Sequence, residues 1–112
     1  MTQVQEMLSD EQIAALEKEH GEIVVVATKV GPCAFRVPRK KEYDRYKSTL
    51  FKEATRSAAP ELLVKMCVVY PSAAEFEAMV DKAPAIVDTC VSPVLELAGM
   101  NSEADTKKSG TA

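Results

Sequence analysis

The side chains able to do chemistry in this chain are few: one histidine, His20, three cysteines, Cys33, Cys67 and Cys90, and a run of acids, Glu75, Glu77, Asp81 and Asp88. Glu77 and Asp81 stand four apart, so on a helix they share the face that acid/base or divalent-cation chemistry would use. Carboxylates do such work when burial or a neighbouring charge displaces their pKa. Here the acids alternate at helical spacing with Phe76, Met79 and Val80, which assigns them to the wet side. A Cys–His nucleophile would need His20 beside one thiol and a third group to orient it, and no spacing supplies one. The cysteines are odd in number, far apart and without a CxxC pair, which argues against a disulfide framework or zinc site and for buried reduced thiols. Gly31-Pro32 lacks the further glycines and the Lys-Ser/Thr ending of a phosphate-cradling loop. These residues predict no catalytic, cofactor or metal site, and a binding or assembly protein rather than an enzyme.

At 112 residues, 46% hydrophobic and 28% charged, the chain fits one globular domain that buries roughly two thirds of its unfolded surface. With no Trp, three Phe and three Tyr, the core must be aliphatic, and little aromatic surface remains for stacking bases or sugars. The longest apolar run, Ile23 to Ala27, is far short of the roughly 20 residues of a membrane span. The opening MTQVQEMLSDEQ shows no basic region before an apolar one, so no signal peptide and a cytoplasmic location are expected.

Local grammar places the elements. Ser9 and Gln12 form a capping-box pair ahead of Ile13 and Leu16, with Gly21 as the stop, so a helix is expected from about Asp10 to Glu19. His20 beside that stop reads as a capping or surface histidine. EIVVVAT at 22–28, a Lys29-Val-Gly-Pro32 turn and CAFRV at 33–37 predict a β-hairpin, with Phe35 and Val37 buried and Ala34 and Arg36 wet. Pro38 suits the first turn of a helix in which Tyr43, Tyr46, Leu50, Phe51 and Ala54 recur on the packed side. Ser57 caps a third helix with Pro60 in its first turn, apolar nearly all round through Leu62, Leu63, Met66, Cys67, Val69 and Tyr70. Ser72 and Glu75 form a second capping box after Tyr70-Pro71, opening a helix with Phe76, Met79, Val80 and Ala83 on one side. A last helix runs from Ala85 to near Gly99, kinked at Pro93, whose apolar C-terminal turn either wraps the core or swings out to a partner. The expected fold is α+β: a mainly helical single domain over residues 9–100, with an N-terminal helix, a β-hairpin and three or four C-terminal helices. Residues 1–8 are expected to be flexible and residues 101–112 a disordered tail.

Charge is segregated along the chain. Between Lys29 and Arg56 nine basic residues face three acids, a net +6; the remaining five basic and fourteen acidic residues carry −9, restoring the net −3. The basic face between Arg36 and Arg56 could contact phosphates, which would make a small nucleic-acid-binding or regulatory protein the alternative. Interleaved Glu42 and Asp44 break up that field and favour a solvated face instead. A protein partner with an acidic face, or the acidic half of a second copy of this chain, also fits the segregation.

The strand leading into FRVPRKKEYDRYKSTL at Phe35–Leu50, then MCVVYPSAAEFEAMVDKAPAI at Met66–Ile86 and a final helix ending in LELAGM, resembles the small tail assembly chaperones of long-tailed bacteriophages and prophages. The resemblance covers roughly Glu22 to Met100. It implies a non-enzymatic role in tail morphogenesis: binding the long helical tape-measure protein, keeping its apolar stripes soluble, and recruiting tail-tube subunits, in the host cytoplasm. It also implies a longer frameshifted product, for which Thr106-Lys107-Lys108 could be encoded by an A-rich slippery sequence. No motif of the family fixes contact residues. The candidates for partner binding are the basic helix face, Arg39, Lys40 and Lys47, and the final helix past Pro93, Val94, Leu95 and Leu97. No cofactor is expected.

Overall fold

A computed structural model describes residues 7–100. Ser9 starts helix α1 (Asp10–His20): its Oγ accepts the Gln12 amide at 3.1 Å while its own amide donates to Gln12 Oε1 at 2.9 Å. The helix stops at Gly21, whose amide donates to the Glu17 carbonyl at 2.8 Å. Strands β1 (Ile23–Thr28) and β2 (Gly31–Arg36) follow as an antiparallel hairpin, paired from Ile23 with Arg36 to Thr28 with Gly31. The Thr28 hydroxyl secures the turn, donating to the Gly31 carbonyl at 2.6 Å and accepting the Val30 amide at 3.1 Å. Then come α2 (Lys40–Phe51), a 3-10 turn (Arg56–Ala58), α3 (Ala59–Cys67), β3 (Val68–Tyr70), α4 (Ala73–Lys82) and α5 (Ile86–Leu97). The described residues fold as α+β, with the expected N-terminal helix and hairpin and, among those residues, four helices after it.

The stretch at Val68–Tyr70 departs from expectation. Its apolar residues continue the run of α3 and predict more helix, but the chain leaves the helix there and forms the third strand of a sheet ordered β1-β2-β3. Two β-branched residues and a Tyr whose following proline disfavours α geometry make this tripeptide a poor helix end. Strand β2 offers it an edge: Ala34 pairs with Tyr70 and Phe35 with Val68, with a register shift between them that leaves Val69 as the extra residue of a bulge. The Tyr70–Pro71 bond is cis. Because β3 precedes α4, the corner between them is strand-to-helix rather than helix-to-helix. Its capping box is formed as expected, with Ser72 Oγ accepting the Glu75 amide at 3.1 Å and Glu75 Oε1 accepting the Ser72 amide at 3.2 Å.

Being central, β2 has no wet face. Val24, Phe35 and Val68 make a row across the three strands toward α3, α4 and α5, where Leu63, Val64, Cys67, Phe76, Val80, Val87, Cys90 and Val94 close the core. Phe35 and Phe76 meet edge-to-face, with centroids 5.7 Å apart and planes at 86°. On the opposite face the row is Val25, Ala34 and Tyr70, and Ala34 is fully buried there, against the expected exposure. A small residue between two larger cross-strand neighbours is covered by them.

Several boundaries differ from those the local patterns predict. Strand β2 takes in Gly31 and Pro32, expected as turn, and ends at Arg36 rather than Val37. Helix α2 begins at Lys40, so Pro38 precedes it, and ends at Phe51 rather than near Ala54. Ser57 does not cap α3: it lies in the 3-10 turn, Ala58 holds the cap position without a side-chain bond, and Pro60 sits in the first turn as expected. Helix α5 runs through Pro93 to Leu97, in line with the expected end near Gly99. The expected flexible N-terminus and disordered C-terminal tail, with Thr106-Lys107-Lys108, lie outside the described residues except for Met7 and Leu8, and Leu8 is buried. Among the described residues no helix is long and apolar enough to cross a membrane.

Candidate protein-interaction surface

Helix α2 presents two unlike sides. Its inner side is anchored by Tyr46, which is buried, and by Glu42, half-buried in a clasp that joins three elements. Arg36 at the end of β2 donates from Nη1 to Glu42 Oε1 at 2.8 Å and from Nη2 to Glu42 Oε2 at 2.7 Å. Arg36 Nη2 also donates to the Met66 carbonyl in α3 at 2.9 Å, and Nη1 to the Val37 carbonyl at 3.2 Å. The same Glu42 accepts the Arg39 amide at 2.8 Å, filling the role of the N3 acid in a capping box, although the Arg39 side chain cannot return the bond. The Arg36 guanidinium, and after it the Arg39 amide, hold the Glu42 carboxyl down at about 2. A planar fork meeting a carboxylate and two carbonyls is arginine chemistry that lysine could not reproduce. Arg36, expected on the wet basic face, is thus an interior clasp, its side chain only 14% exposed.

The outer side carries the partner-binding candidates. Arg39 and Lys40 are exposed at the start of α2, Lys40 paired with Asp44 at 2.8 Å along the helix. Lys47 is exposed one turn past Tyr43, and its Nζ sits over the Tyr43 ring, 5.4 Å from the centroid. Phe51 closes the helix and is 71% exposed, against the expectation that it packs. The wheel carries the signal that the apolar count missed: Tyr43, Tyr46 and Leu50 fall on one arc, and Phe51 lies about 100° beyond Leu50. The helix end is held by the segment after it, with Thr55 Oγ1 donating to the Thr49 carbonyl at 2.8 Å and Arg56 Nε to the Leu50 carbonyl at 3.1 Å.

The end of α5 meets this helix. Gly99, at φ 112°, allows the Met100 amide to donate to the Leu95 carbonyl at 2.9 Å and the Gly99 amide to the Glu96 carbonyl at 3.0 Å. This Schellman closure needs the left-handed residue that glycine supplies without strain. It brings Met100 back beside Leu95, where both line a cleft of about 240 Å³ with Tyr43, Ala98 and Gly99. Tyr43 joins the two candidate regions: Lys47 lies over its ring and Leu95 shares its cleft. Met100, 47% exposed, belongs to this surface and escapes a sequence pattern because a residue past a helix end has no periodicity to read. Leu97 is half-buried on α5, whereas Val94 is fully buried in the core and offers nothing to a partner. Along α2, Tyr43 and Phe51 are about 12 Å apart, a little over two turns.

The groups with catalytic potential lie elsewhere, and of them the fold brings Cys33 and Cys90 together inside the core. Cys33, Cys67 and Cys90 are fully buried free thiols. A hydrogen bond between Cys33 and Cys90 lowers the first thiol's pKa and raises the second's, and burial pushes Cys67 up to about 11. Glu75, Glu77, Asp81 and Asp88 are exposed, as the helical spacing predicts, with Glu77 near Lys65 at 3.6 Å. His20 is half-buried at the end of α1, 3.7 Å from Glu19. A cleft of about 450 Å³ between the hairpin turn and the α4–α5 corner is lined by Thr28, Lys29, Lys82 and Thr89 among alanines, Pro84 and Ile86, without an acid, histidine or thiol. No group of three or more His, Cys, Asp or Glu that could hold a metal ion occurs among the described residues.

Residues 32–107 match a family model described as Domain of unknown function (DUF6848), about two thirds of the chain. Neither the curated proteins nor the solved structures yielded a match.

Proposed function

The chain belongs to the DUF6848 family, whose description assigns no activity, and from its surface we propose that it is a non-enzymatic assembly chaperone. It holds a helix of the phage tape-measure protein during tail morphogenesis. The observation that carries this reading is the outer side of α2: an exposed Phe51 and an apolar Tyr43–Leu95–Met100 cleft about two turns apart, with Lys47 between them. An amphipathic helix laid along such a surface seats apolar anchors seven or eight residues apart, while Lys47 and Arg39 meet its acidic flank. The sequence resemblance to tail assembly chaperones supplies the identity of the partner, and the buried thiols and dispersed acids fit a protein that works by binding. Tail-tube subunits are then recruited to the chaperone-bound complex.

Co-expression with the tape-measure protein encoded nearby is the test. A soluble complex, lost on Phe51→Asp or Leu95→Asp with the helical circular-dichroism signal intact, is the expected result. Failure to form a complex or to improve the tape-measure protein's solubility would reject the reading. The nucleic-acid alternative loses one of its cations, because Arg36 is clasped inside the fold.

A further inference from the structure

We infer that, in the free protein, the outer side of α2 is occupied by helix α1 of a second copy of the chain. Two surfaces of unlike charge stand unpaired within one copy. Helix α1 carries Asp10, Glu11, Glu17 and Glu19 against Lys18, and among the described residues the one ion contact of these acids is that between Glu19 and His20 at 3.7 Å. On α2 and just past it, Lys41, Arg45, Lys47 and Lys52 are exposed, and no described carboxylate pairs with them within 4 Å. Within one copy α1 packs on β1 and α2 packs on α3, so the fold does not bring these opposite charges together.

The shapes agree with the charges. None of the α1 side chains is buried; Ile13, Leu16 and His20 are half-buried on one side. The other side presents Ala14 and Ala15, both exposed, with Glu11 and Lys18 between them on the wheel and Glu17 and Glu19 at its edges. Each alanine leaves a gap in that face beside a carboxylate, and Phe51 is the large ring that α2 exposes. A second copy offers the same pair of surfaces, so α1 on α2 in one direction and the reciprocal contact in the other bury two equivalent patches. The contact is electrostatically steered and therefore salt-sensitive. It also hides the apolar surface of α2 until a competing helix arrives.

This inference stands on α1 as well as α2 and does not require the chaperone reading; loss of tape-measure binding would leave it intact. The test is sedimentation equilibrium of the full chain at low salt and at about 0.5 M salt. Self-association at low salt, at least about tenfold weaker at the higher salt, is expected. Two variants separate the surfaces: Arg45→Glu, Lys47→Glu and Lys52→Glu together make both helices net acidic, and Glu17→Lys with Glu19→Lys makes both net basic. The latter two substitutions lie in the last turn of α1, where lysine suits the helix dipole, so folding is retained. Each variant alone should be monomeric, and an equimolar mixture should associate again, because each then supplies the helix the other lacks. Phe51→Ala should weaken the wild-type association about tenfold, which charge pairing alone would not produce. A monomer at low salt overturns the inference. So does an association that Phe51→Ala leaves unchanged, or a mixture that stays monomeric.

Discussion

Glu42 and Asp44 lie two residues apart on the same helix and each meets a cation within 2.8 Å, yet they do different things. Glu42 is drawn inward, where a guanidinium that also binds two carbonyls fixes β2, α2 and α3 to one another. Asp44 is drawn outward to Lys40, both in water, where a single ion pair contributes a few tenths of a kcal/mol at most. The phenylalanines repeat the contrast: Phe76 of α4 is fully buried edge-on to Phe35, and Phe51 of α2 is exposed. Residue type does not separate stability from recognition here; the side of the helix does. Everything on the inner side should register as folding energy, and everything on the outer side as partner affinity.

The largest effect that could break this division is at the phenylalanines. Phe76→Ala should destabilise by about 3–5 kcal/mol in chemical denaturation, whereas Phe51→Ala should stay within about 0.5 kcal/mol of wild type. Equal losses would place Phe51 in the core. Next is the clasp: Arg36→Met leaves Glu42 only the exposed Arg39 guanidinium, 3.6 Å away, and should cost about 2–3 kcal/mol, against less than about 0.5 kcal/mol for Lys40→Met.

Acid sharpens the same point. The Glu42 carboxyl sits at about 2 in the fold, below its unfolded value of about 4.3, so it binds protons more readily when unfolded. Its stabilisation is fully present above the unfolded value and is lost as pH falls toward about 2, a change of about 2–3 kcal/mol. Glu42→Gln should flatten that part of the stability–pH curve, measured by denaturation at a series of pH values; an unchanged curve would remove the clasp from the account. The smallest effect is at the corner before α4. Ser72→Ala removes the cap acceptor and should cost about 1 kcal/mol without altering partner affinity.

The features legible in the sequence are local ones. The two capping boxes, Ser9 with Gln12 and Ser72 with Glu75, close within three residues, and both are present. The hairpin follows from β-branched residues flanking a turn, and the burial of Phe76 and Val80 from helical period. The candidate surface is legible in part. Lys47 and Leu95 stand out on two separate helices, whereas the apolar count puts Phe51 on the packed side with Tyr43, which does lie partly buried against the core, and passes over Met100.

The sequence by itself determined the helices and hairpin, because caps, turns and periodicities are interactions between near neighbours that any surroundings leave in place. Tertiary structure decided the rest. Val68–Tyr70 became a strand because β2, some thirty residues earlier in the chain, offered an unpaired edge. Arg36 left the basic face because the Met66 carbonyl, thirty positions away, stood within 2.9 Å of its guanidinium. Val94 went into the core and Leu95 to the cleft, one residue apart, according to where α2 and α3 lay. Burial and pairing are set by what packs alongside, and a one-dimensional pattern records which residues can be buried without recording what will cover them.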